Sequence, residues 1–164
     1  MNVVGLDVIK YVTASSFVLV LTATTGAFAA PPVAATLTIP APFGSSPVLA
    51  WSWGASNSGS THVGGGGAVG KANIQDLSLT RNTDGQSPLF FSYVAKGQHL
   101  PTVVLVDGST TITLTEVLVT SFSTGDSGTK NTTQTENITF NFAKVAYTVN
   151  GVTTCFNIST NTPC

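Results

Sequence analysis

TTITLTEVLVTSF, residues 110–122, and ENITFNFAKVAYTV, residues 136–149, decide the fold. In the first, Ile112, Leu114 and Glu116 alternate with Thr111, Thr113 and Thr115, and the end of the run turns more apolar. In the second, Ile138, Phe140 and Phe142 line one face while Thr139 and Asn141 line the other. A period of two with β-branched residues is the signature of a strand with one buried and one polar face. Working outward, shorter runs of the same kind fall at residues 35–39, 48–53, 72–81, 100–106 and 152–158. Asp107-Gly108 and Asn150-Gly151 are hairpin signals between such runs. Pro40 and Pro42 stop the first run. A chain of this pattern closes as a barrel or a sandwich.

One segment breaks the period. Residues 87–97, SPLFFSYVAKG, place Ser87 at an N-cap, Pro88 in the first turn and Gly97 at the exit. Phe90, Phe91 and Val94 recur at helical spacing and share a face. A short helix capping the strands is expected there. The glycine run Gly64, Gly65, Gly66, Gly67 follows His62-Val63, and GGGGAVGKA lacks a hydroxyl residue after Lys71. A phosphate loop needs one, so the run reads as a loop that orders against a neighbour.

Charged residues make up 8 % of the 164-residue chain and the net charge is -1. A soluble domain usually carries about 25 % charged residues. Thr, Ser, Asn and Gly fill the gap, so the surface is polar but nearly uncharged. Nucleic acid is excluded as a partner, since its backbone calls for clustered Lys and Arg. Weak charge repulsion tolerates self-association.

The chain starts MNVVGLDVIKYVTASSFVLVLTATTGAFAAPP. Lys10 precedes an apolar run, and Ala27-Phe28-Ala29 offers the small residues a signal peptidase reads. Residues 1–29 are expected to be a signal peptide cut before Ala30, which makes the protein secreted. An uncleaved anchor is the alternative, but Thr and Ser interrupt the apolar stretch. The domain then runs over residues 30–149, with a tail at 150–164. The two cysteines, Cys155 and Cys164, sit in that tail. Three states are open to them: a bridge within the chain, a bridge between chains, or free thiols. An internal bridge would close a loop worth about 2–3 kcal/mol and staple the tail. Their spacing is poor for a metal, and neither His62 nor His99 is near them in sequence.

Taken in order, these pieces resemble the haemolysin-coregulated protein family, Hcp, whose members form the inner tube of the type VI secretion system. LAWSWG at 49–54 is similar to a family strand, and the glycines with Gly70-Lys71 to its loop. QDLSLTR at 75–81, SPL at 87–89, KGQHL at 96–100, TLTEVLVTS at 113–121 and TENITFNFAKV at 135–145 follow in the family's order. The resemblance implies a β-barrel of two packed antiparallel sheets with one short helix. It implies no catalysis and no cofactor. It implies a homo-oligomer, six copies to a ring, with rings that stack and small effector proteins in the lumen. The export signal, low charge and cysteine tail depart from the family and point to an exported relative that builds an extracellular tube or filament or stays a solitary secreted domain.

The candidate interface residues are His62, the four glycines 64–67, Lys71, Lys96, His99, Glu116 and Lys144. Glu116 and Lys144 are placed to pair across the sheet or between subunits. His99 with Asp76 is the one pair worth testing as an acid–base couple. No Gly-x-Ser-x-Gly frames a nucleophile, so a small secreted hydrolase is the weakest reading. Trp51 and Trp53 share a strand face, as core or as an aromatic strip for sugar. The second reading makes the chain a secreted carbohydrate-binding module.

Overall fold

The computed structural model describes residues 35–59, 70–126, 128 and 133–164. The signal stretch 1–29, His62 and the glycines 64–67 lie outside the described residues. Eleven strands and one helix follow in order: β1 (Ala35–Ile39), β2 (Gly44–Val48), β3 (Ala50–Ser52), β4 (Ala55–Asn57), β5 (Ala72–Ile74), β6 (Leu77–Asn82), α1 (Ser87–Lys96), β7 (His99–Asp107), β8 (Thr110–Gly125), β9 (Thr135–Val149), β10 (Val152–Asn157) and β11 (Thr162–Pro163).

Nine strands form one antiparallel sheet. Its main path is β11-β10-β9-β8-β7-β1-β2, with β6 on β9 and β3 on β6. The strand β9 is long enough to serve two neighbours on one edge. Its first half, 135–140, pairs with β6 and its second half, 144–149, pairs with β10. β4 and β5 make a separate two-stranded ribbon. The turn between β9 and β10 has positive φ at both Asn150 and Gly151, 50° and 81°. That is the geometry which Asn-Gly favours, and it matches the twist of the flanking strands.

A fold line crosses the three longest neighbours. Buried residues on β7 are Leu100, then Val103 and Leu105. On β8 they are Ile112 and Leu114, then Val117 and Val119. On β9 they run from Glu136 through Phe142, then Val145. Each strand therefore shifts phase once, by one residue. The shifts are in register, because Thr102 faces Thr115 and Thr115 faces Lys144. On β8 the shift is made by Glu116, whose φ is +54°. Strict alternation put Glu116 on the face of Ile112 and Leu114; the structure turns it outward, exposed. The bend brings both halves of the sheet around one core.

That core joins Leu37, Ile39 and Val48 from one end to Leu77, Leu79, Ile138 and Phe140 from the other. Each such side chain contributes about 1.5–3 kcal/mol on burial. Helix α1 closes the open side with Phe90, which is fully buried and packs on Phe43 at 4.7 Å and edge-on to Phe140 at 6.2 Å. Phe91 does not share that face: it is 61 % exposed and leans on Phe122. The N-cap is Gln86 rather than Ser87. Gly97, at φ 62°, ends the helix as expected, with Gln98 N–H donating to Tyr93 C=O.

The expected β-barrel of two packed sheets is not formed. The sheet stays open, with no strand ladder joining β2 to β6. Along that seam one backbone bond runs from Leu49 N–H to Thr80 C=O, and Pro47 deprives β2 of an N–H. Side chains hold the seam instead. Arg81 on β6 donates from Nη1 to Ser46 Oγ on β2 at 2.6 Å. Its Nε lies 2.7 Å from Glu136 Oε1 on β9, its cross-strand neighbour, and both side chains are fully buried. It also bonds Asp84 and Gln86 before the helix, and its guanidinium sits 5.2 Å over the Phe90 ring. Other expectations shift locally. Residues 72–81 form two strands, broken at Gln75 and Asp76, and residues 48–53 are split between β2 and β3.

Removing one partner of a fully buried pair leaves an uncompensated charge, at about 3–5 kcal/mol. Glu136→Ala is expected to lower the unfolding free energy by about that amount in a urea titration. A loss under about 1 kcal/mol would show that the seam does not depend on the pair.

Candidate functional site

The phase shift creates a cleft on the outer face of the sheet. It has a volume of about 570 Å³ and is lined by His99, Glu116, Leu118, Asn141, Phe142, Ala143, Ile158 and Ser159. Each element delivers its part for a local reason. His99 opens β7 just after the Gly97 helix exit. Glu116 and Pro101 face each other across β7 and β8, between the pairs Leu100–Val117 and Thr102–Thr115. Proline cannot donate to a ladder, and β8 turns through a left-handed residue opposite it.

The far wall comes from the tail. Ile158 N–H donates to Ala143 C=O at 2.9 Å. Asn157 Oδ1 accepts from Ser159 N–H, Ser159 Oγ and Thr160 N–H, which sets the turn. Cys155 and Cys164 are disulfide-bonded within the chain, Cα atoms 5.3 Å apart, and this bridge ties the turn back on β10. Ile158, Ser159 and Asn141 were not singled out as site residues from the sequence. No period carries them, because the wall forms only when the tail folds back over the bend.

The polar groups are unequally engaged. Asp76 accepts from Asn141 Nδ2 at 2.8 Å and from Thr120 Oγ1 at 3.3 Å, and so is occupied within the chain. It does not bond His99, and the two do not form an acid–base couple. Glu116 has no hydrogen bond or ion pair among the described residues. Lys144 lies opposite Thr115 and makes no ion pair with Glu116. Lys71 and Lys96 are exposed, at the start of β5 and the end of α1. Among the described residues the cleft therefore gathers only His99 and Glu116 of the expected interface set. Among the same residues no group of three or more His, Cys, Asp or Glu could hold a metal ion. Trp51 and Trp53 are half-buried against the core, and the Trp51 indole donates to Asp107 Oδ2 at 2.9 Å. They form no exposed strip for sugar.

The class of fold is an open, bent antiparallel sheet with one docked helix. The family model "Type VI secretion system effector, Hcp" matches residues 43–149, and the chain belongs to the Hcp family. It is 49 % identical over 84 residues to protein hcp1 of Pseudomonas aeruginosa, a match covering 46 % of this chain and 51 % of that protein. The chain thus spans about half the length of the curated relative it matches. A solved type six secretion system protein superposes with a TM-score of 0.72 at 21 % identity, covering 79 % of this chain and 98 % of the other. Hcp1 from Salmonella typhimurium gives 0.65 at 23 %, with 79 % and 97 % covered. At those identities the likeness shows a shared fold.

A side chain in the left-handed region costs about 1–2 kcal/mol, and glycine escapes that cost. Since the Glu116 carboxylate has no hydrogen bond or ion pair among the described residues, Glu116→Gly is expected to leave stability unchanged or raise it by about 1 kcal/mol. A fall of more than about 1 kcal/mol in calorimetry would mean the side chain supports the bend.

Proposed function

We propose that this chain is a structural subunit that assembles into six-membered rings which stack into a tube, as an exported member of its family. Family membership over residues 43–149 is the observation that carries this reading. The surface supports it. With 8 % charged residues and a net charge of -1, little electrostatic repulsion opposes contact between copies. Lys71, Lys96, His99 and Glu116 are exposed and form no ion pair among the described residues, so a neighbour can meet them. Lys144, half-buried beside the bend, joins the same set. His62 and the glycines 64–67 are proposed as part of the contact between copies.

The leader at 1–29 directs the chain out of the cell, and the processed chain begins at Ala30. Its destination is extracellular, as a tube or filament, with small effector proteins carried in the lumen. The domain performs no reaction in this reading; its work is to pack against itself and to enclose.

The test is the mass of the processed chain in solution. Size-exclusion chromatography with light scattering is expected to give six times the protomer mass, and negative-stain images to show rings. A monomer at high protein concentration, with no annular particles, would remove the tube reading.

A further inference from the structure

We propose that the Cys155–Cys164 bridge is a redox latch: its reduction releases residues 158–164 from the body, and with them one wall of the cleft, while the sheet and helix stay folded. Little else holds that segment. Ser159 through Cys164 are all exposed. Among the described residues their hydrogen bonds go only to β10 and to one another. Asn157 Oδ1 accepts from Ser159 and Thr160, Thr160 Oγ1 meets Thr162 Oγ1, and Cys164 N–H donates to Cys155 C=O. β11 is two residues long, and its Pro163 has no N–H to give the ladder. One backbone bond of the segment reaches past β10, from Ile158 N–H to Ala143 C=O at 2.9 Å. Beside it, the Ile158 side chain packs half-buried against the core.

The body has its own hold on the chain up to that point. β10 pairs with β9 from Val152 to Asn157, so everything before the hinge stays in the sheet. Phe156 packs against the core and belongs to β10, not to the released segment. The buried apolar core ends at Val145. The hinge therefore falls just after Asn157. Cys164 is exposed, which leaves the bridge open to a reagent. The reductant is a dithiol. One of its thiolates attacks a bridge sulfur, the S–S bond breaks, and the other cysteine sulfur leaves as a thiolate and takes up a proton. The second thiol of the reagent then displaces the mixed disulfide. The chain gains two electrons and two protons, and the dithiol becomes a disulfide. With the cross-link gone, the segment regains the freedom that loop closure had removed, against one backbone bond and one half-buried isoleucine. The cleft then lacks the wall formed by Ile158 and Ser159. An oxidising setting keeps the latch shut.

The test follows the full processed chain by NMR, with amides and the leucine and isoleucine methyls labelled, before and after dithiothreitol. The cysteine Cβ shifts report reduction itself. On reduction the Ile158 amide is expected to exchange with solvent at least about tenfold faster. The amides of residues 159–164 are expected to take on the relaxation of a free tail. The methyls of Leu37, Ile112 and Ile138 are expected to keep their positions, and reoxidation to restore the starting spectrum. Cys155→Ser combined with Cys164→Ser is expected to match the reduced parent and to ignore dithiothreitol. An Ile158 amide that stays protected in the reduced parent overturns the proposal, because the segment then holds without its bridge. Loss of the core methyl signals on reduction also overturns it, because the bridge then supports the body and is no latch. A double variant with the bridged parent's protection at Ile158 overturns it as well. These readouts are local to the tail and the core, so they decide the latch whether the chain stands alone or in a ring.

Discussion

The buried guanidinium of Arg81 is the constraint around which the rest of the molecule is arranged. It sits where β2 and β6 run side by side without a ladder and joins them through Ser46. It meets Glu136 on β9, reaches Asp84 and Gln86 in the turn, and lies over the Phe90 ring of the helix. Five separate pieces of chain are thus referred to one group. An ion pair removed from water gives little net stability when judged against an apolar replacement. Its value here is positional. A hydrophobic contact would tolerate a slipped register, whereas a fork of donors accepts one arrangement of its acceptors.

The bend answers a different demand. A sheet that wraps a single core without closing must change direction, and this one does so along a line through Thr102, Thr115 and Lys144. The phase of burial flips on all three strands at once. The outward consequence is the cleft; the inward consequence is that Leu114 and Val117, three apart, both reach the core. Seam and bend are complementary devices. One fixes the free edges of the sheet by side chains, and the other lets its middle fold over.

Much of this architecture is legible in the sequence itself. The alternation in residues 136–142, the Asn150-Gly151 turn and the Pro88-to-Gly97 helix depend on neighbours within a few positions, and the chain spells them locally. The phase shift at Glu116 was partly visible, since apolar residues at 112, 114, 117 and 119 already break strict alternation. It was read through because a left-handed glutamate is a backbone event with no side-chain signature. The open seam was not legible. Whether a sheet closes depends on residues far apart in sequence, here Ser46, Arg81 and Glu136, whose pairing no period announces. Helical spacing likewise grouped Phe90 with Phe91, although adjacent residues point about 100° apart and only one can face the core. The candidate site was the least readable part, as its walls come from the start of β7, the middle of β8 and β9, and the folded-back tail.

The tail has a consequence for where the protein can be complete. All of the fully buried apolar residues precede Cys155, the last of them being Val145. The bridge therefore lies beyond the buried core, while Phe156 and Ile158 beside it pack against that core. Without the bridge, the wall that Ile158 and Ser159 supply is left without its tether. The bridge thus bears on the wall of the cleft more than on the buried interior.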